Sequence, residues 1–103
     1  MIVIWSELAV ESFQQIRDYI YSQFGIVAEN KYLEAVDNAV SNIVQFPKSG
    51  QIVECLSDEL EVRSFIFNRR SKFIYYISED TIHIADVWDV RQDPELLISR
   101  TTI

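Results

Sequence analysis

Apolar residues recur along the first half of the chain at helical spacing. Ala9, Phe13, Ile16, Ile20 and Phe24 fall three or four apart, while Glu11, Gln14, Arg17, Asp18 and Ser22 lie mostly elsewhere, as expected of a helix that buries one stripe. Gly25 then supplies a permissive stop. A second stripe follows at Ala28, Tyr32, Ala35, Ala39, Ile43 and Phe46, widened by Leu33, Val36 and Val40 and closed by Pro47 and Gly50,. Two long helices with one short break and several small alanines at the contact predict an antiparallel helical hairpin. Ahead of it, the run from Ile2 to Trp5 predicts a strand, and Ser6 followed by Glu7 reads as the helix N-cap,.

From Leu60 onward the period changes to two, and β-branched and aromatic residues dominate Val62 to Phe67, Lys72 to Ser78 and Thr81 to Val90,. The polar breaks Asn68 to Ser71 and Ser78 to Thr81 are short enough for hairpins, so the three strands should form an antiparallel meander. Asp93-Pro94-Glu95 has the form of a capped start to a short terminal helix that includes Leu96 to Ile98,. The predicted class is α+β: an N-terminal strand, an antiparallel helical hairpin, a three-stranded antiparallel meander and a short C-terminal helix, with the hairpin covering one sheet face.

The chain has 103 residues, 49% hydrophobic and 24% charged, with only two Gly and two Pro. That suits one domain over residues 1–103 and argues against disorder or a long linker. A lone cysteine, Cys55, cannot close an internal disulfide. It falls in an acidic loop with Glu54, Asp58 and Glu59, which disfavours a reactive thiolate,. No apolar run is long enough for a membrane span and no leader pattern precedes Ser6, so the expected compartment is the cytoplasm, without membrane contact.

A formal net charge of -7 is a poor basis for gripping nucleic acid. The charge is uneven, however. Residues 1–62 hold three cations against ten acids, whereas residues 63–103 hold six of each. Between Arg63 and Ile77 there are four cations and no acid. Strand alternation would gather Arg63, Lys72 and Tyr76 on the sheet face away from the helices, with Arg91 nearby. Arg69 and Arg70 fall in a turn.

The remaining polar residues read more plainly. His83 is the sole histidine, and it falls on a strand with Ala85 and Val87 on the same side, so it reads as a half-buried strand residue without a catalytic partner,. Asp86, Asp89 and Asp93 straddle a strand end without a histidine in register, and read as caps and salt-bridge partners of Arg91 rather than metal ligands. Tyr75, Tyr76, Trp5 and Trp88 read as core or interface aromatics, Trp88 as an anchor for a partner helix.

Several segments together resemble the RelE/ParE toxin superfamily. They are Val3-Ile4-Trp5-Ser6 with Ala9, the long helix pair ending in Phe46-Pro47-Lys48-Ser49-Gly50, Arg63-Ser64-Phe65, the hairpin Phe73-Ile74-Tyr75-Tyr76, and the tail from Val87-Trp88 to Asp93-Pro94. The helical hairpin ahead of the sheet is more similar to the ParE branch. The resemblance implies the toxin of a type II toxin-antitoxin, plasmid-stabilising pair, held inactive by a cognate antitoxin, with no cofactor and no metal. It also admits a homodimer or a toxin-antitoxin hetero-oligomer.

Members of this superfamily either poison DNA gyrase or cut mRNA in the ribosome. For the second chemistry the resemblance places Arg63 where a strand cation is expected, Lys72 where an arginine often sits, and Arg91 or Gln92 near the last-strand arginine. Phe65 stands where RelE members tend to carry lysine, Trp88 where many carry histidine, and no tyrosine follows Tyr76. The catalytic candidates are thus Arg63, Lys72 and Arg91, and the binding candidates Arg63, Arg69, Arg70, Lys72, Tyr76, Trp88 and Arg91. The expected antitoxin segment is amphipathic and lies across hairpin and sheet, with acids near Arg63, Lys72 and Arg91. Three readings follow: a toxin that holds a protein such as gyrase, a ribosome-dependent mRNA endonuclease, or a non-toxic binding module on the same fold.

Overall fold

In a computed structural model, which describes residues 1–57 and 60–89 and only the backbone of 54–57, strand β1 (Ile2–Trp5) leads into α1 (Glu7–Gln45). A straight helix of 39 residues would be about 58 Å long,. The longest dimension of the molecule is 43 Å. The chain reconciles the two at Gly25, whose φ of 85° and ψ of -175° break the helix into two arms. Phe13 stacks on Tyr32 with centroids 5.8 Å apart, and Arg17 Nε lies 3.1 Å from Glu29 Oε2, so the arms run antiparallel as expected. Ser6 caps the first arm: its hydroxyl accepts from the Ala9 amide at 2.9 Å and donates to the Ala85 carbonyl at 2.8 Å,.

Ala9, Ile16 and Ile20 from the first arm and Tyr32, Val36, Ala39 and Ile43 from the second are buried against the sheet. The ends of both predicted stripes are corrected. Phe24 and Phe46 are 56% and 58% exposed; Phe24 directly precedes the break at Gly25, and Phe46 is the cap residue just past the end of α1. Phe24 instead packs edge-on to Tyr19 at the hairpin corner.

The sheet has five strands in the order β1-β5-β4-β3-β2, with β2 over Gln51–Ser57, β3 over Leu60–Phe67, β4 over Ser71–Ser78 and β5 over Thr81–Asp89. The last three are the predicted meander. β2 replaces the expected acidic loop and carries Cys55. It pairs antiparallel with β3 through two register breaks, between Ile52 and Glu54 and between Cys55 and Ser57, and so shows no clean alternation in its sequence,. β1 docks parallel on β5, pairing Ile2 with Thr81 through Trp5 with Ile84. Trp5 closes the core edge-on to Phe13 and Phe73. The predicted helix at 93–98, together with Arg91, Gln92 and Asp93, lies outside the described residues.

Candidate functional site

Two local features of the sheet decide which side chains meet. The first is the β3–β4 turn, where residues 68–70 connect Phe67 to its partner Ser71. A connection of three residues pairs odd positions with odd. Arg63 therefore lies opposite Tyr75 and Lys72 opposite Ile66, and directly paired residues share a face,. Arg63 thus belongs to the helix-covered side with Phe73 and Tyr75, while Lys72 and Tyr76 belong to the open side. The expected grouping of Arg63 with Lys72 and Tyr76 is corrected: a turn one residue shorter or longer would have been needed to produce it.

Arg63 is engaged where it lies. Its side chain is only 12% exposed. Nη1 donates to the Gly50 carbonyl at 2.8 Å and the Lys48 carbonyl at 3.1 Å, and Nη2 pairs with Glu61 at 2.6 Å. The buried Tyr75 hydroxyl completes the clamp, donating to the Pro47 carbonyl at 2.8 Å and accepting from the Gly50 amide at 3.0 Å. Arg63 and Tyr75 together tie the end of the helical hairpin to the sheet.

The second feature is a bulge in β5. Pairing passes from Tyr75–Ile84 to Ile74–Asp86, which leaves Ala85 unopposed. Beyond it the alternation reverses. Ile82, Ile84 and Val87 are all buried on the helix side, whereas His83 and Trp88 pair with Tyr76 and Lys72 on the open side. His83 is half-buried as expected, but it faces Tyr76 and not the side of Val87, with the two rings stacked 4.7 Å apart.

Trp88 is held from both sides. Its Nε1 donates to Asp86 Oδ2 at 2.8 Å, and Lys72 Nζ sits 4.3 Å from the ring centroid,. Asp86 is itself buried, and its Oδ1 accepts from Ser12 Oγ at 2.6 Å and from the Val87 amide at 2.8 Å. The expected pairing with Arg91 lies outside the described residues. Asp89, also buried, accepts from Ser71 Oγ at 2.6 Å. Ser12 was legible as an anomaly: it is the one hydroxyl seated on the first helical stripe, between Ala9 and Ile16, and such a position calls for a buried partner.

Arg69, Arg70 and Lys72, with Ile66, Ser71, Trp88 and Asp89, line a cavity of about 310 Å³ at the β3–β4 turn. From there the open face continues as a cross-strand row of Ile4, His83, Tyr76 and Val62. Ile4 is 49% exposed and Ile66 66%. The structure therefore brings together Arg69, Arg70, Lys72 and Trp88, places Tyr76 on the same face, and separates Arg63 from them. Among the described residues no group of three His, Cys, Asp or Glu gathers as a metal site. No helix there is long and apolar enough to cross a membrane.

A helical hairpin on one face of a sheet whose first strand lies parallel beside a four-stranded antiparallel meander, with none of the described helices on the other face, defines a small α+β architecture. It is similar to a solved chain described as the chromosomal ParDE TA system from P. aeruginosa, with a TM-score of 0.69 and 18% identity over 87% of this chain and 96% of that one. No curated protein matched the sequence. A sequence model described as the ParE toxin of type II toxin-antitoxin system, parDE, matches residues 3–94. The chain belongs to this ParE toxin family.

Proposed function

We propose that the chain arrests growth by holding a cellular protein such as DNA gyrase, and that a cognate antitoxin neutralises it by lying across the hairpin and the open sheet face. The observation that carries this reading is the face itself. Four strands present Ile4, His83, Tyr76 and Val62 in one uninterrupted row, with Trp88 fixed farther along the same face, beyond Ile74. A pre-set apolar and aromatic surface of this kind suits protein recognition. Exposed Tyr21, Phe24, Ile26 and Val27 extend apolar surface over the hairpin corner,. This role places the chain in the cytoplasm and fits a plasmid-stabilising pair.

Metal-free RNA cleavage would ask several cations to converge on one phosphate. Of the catalytic candidates, Arg63 faces away from Lys72 and is occupied by the carbonyls of Lys48 and Gly50; the cations that do gather, Arg69, Arg70 and Lys72, exclude it, and this loss from the candidate set favours a binding toxin over a nuclease. The test pairs two assays on the purified chain. Inhibition of DNA supercoiling by gyrase with mRNA left intact in cell-free translation supports the reading. Codon-dependent mRNA cuts that vanish in Lys72→Ala, with supercoiling unaffected, remove it. Growth arrest on induction, relieved by co-expressing any short reading frame found beside the gene, tests the antitoxin.

A further inference from the structure

Arg69, Arg70 and Lys72 form the densest cluster of positive charge among the described residues, and all three border one cavity of about 310 Å³. Arg69 holds a φ of 60° there, a left-handed backbone that glycine or asparagine adopts at less cost,. One wall is the Trp88 indole, set in place by Asp86 and through it by Ser12. Next to this charge stands Ile66, exposed and apolar.

We infer that this cavity is a carboxylate subsite for a protein partner. It seats an aspartate or glutamate between the guanidinium groups and Lys72, while an apolar neighbour of that acid rests on Ile66 and Trp88. The inference depends on the proposed toxin role only in naming that partner as the antitoxin. Guanidinium forks match carboxylates in shape as well as charge, and a wall already locked by Asp86 loses little freedom when covered.

A peptide fits better than a nucleic acid for a reason visible along the face. A nucleic-acid strand needs a succession of phosphate contacts. Beyond the cavity the row continues with Ile74, Tyr76, His83 and Ile4, with no lysine or arginine, and the whole chain carries a formal charge of -7. The cavity sets three cations against one acid, Asp89, which is buried and accepts from Ser71 Oγ; followed by apolar surface, it complements a segment with an acid at one end and apolar residues after it.

The test titrates the intrinsic fluorescence of the full chain with three probes. They are a short synthetic peptide alternating glutamate with leucine, the same peptide with glutamine for glutamate, and single-stranded oligouridylate. Trp88→Phe identifies the part of the signal that arises at the site. The glutamate peptide should bind and move that part of the signal. The glutamine peptide should bind about tenfold more weakly or worse, and Arg69→Ala with Arg70→Ala should cost a similar factor. No binding of the glutamate peptide, equal affinity for the two peptides, an unaffected double variant, or tighter binding of oligouridylate overturns the subsite. Growth arrest by the unaltered chain is scored separately. Arrest without peptide binding removes the subsite and leaves the toxin role; peptide binding without arrest does the reverse.

Discussion

Gly50 offers the sharpest test of how the hairpin is fastened to the sheet. A methyl group added there would lie 2.5 Å from the Tyr75 hydroxyl oxygen, 2.8 Å from its Cε1 and 2.9 Å from the Ser64 carbonyl oxygen. Tyr75 is wholly buried, so its ring cannot swing aside freely. Relief of the clash must break the bonds that its hydroxyl makes to Pro47 and Gly50. Overpacking costs about 1–3 kcal/mol, and two hydrogen bonds at about 0.5–1.5 kcal/mol each add to that. Gly50→Ala should therefore destabilise the chain by about 2–6 kcal/mol, read as a shift in the urea midpoint at constant slope. Tyr75→Phe removes the same two bonds without a clash and should cost about 1–3 kcal/mol. The double variant should cost less than the sum of the two, because the hydroxyl that meets the new methyl is already gone. A Gly50→Ala effect below about 0.5 kcal/mol, or additivity within that margin, would refute the account of the clamp.

Gly25→Ala should cost about 1–3 kcal/mol although open space surrounds the site, because a φ of 85° with a ψ of -175° is a glycine-only region,. Gly25→Asn should not rescue it, since asparagine tolerates the left-handed helical region and not this one. Arg63→Ala should cost about 1.5–3 kcal/mol in thermal or chemical denaturation by leaving the Lys48 and Gly50 carbonyls without their charged donor,; an unchanged midpoint would contradict its place in the clamp. Asp86→Asn offers one oxygen where two accept, so an N–H of Trp88 or Val87 loses its acceptor, at about 1–3 kcal/mol, with an altered near-ultraviolet Trp88 signal,. Asp80→Gly should stabilise by about 0.5–1 kcal/mol, because Glu79 and Asp80 both hold positive φ in a two-residue hairpin turn,.

The amino-acid sequence by itself determined the elements that depend on near neighbours. The Ser6 cap, the break at Gly25, the buried stripes from Ala9 to Ile20 and from Tyr32 to Ile43, and the three meander strands all follow from periodicity and backbone preference, which act over a few residues. β2 escaped notice because its alternation is broken by two register shifts that have meaning only against β3. The candidate site was half legible. Arg69, Arg70, Lys72 and Trp88 could be named from the sequence, but which of them would meet could not.

That was left to the tertiary structure, through two counts of one residue. A turn of three residues set Arg63 with Tyr75 under the helices, and unopposed Ala85 moved Trp88 from the side of Ile82 and Ile84 to that of Lys72. Strand side chains alternate with a period of two, so a single residue in a turn or bulge reverses every face beyond it. Such a residue leaves the local hydrophobic pattern almost unchanged. Its effect appears only when the neighbouring strand is in place to show which position is opposite which.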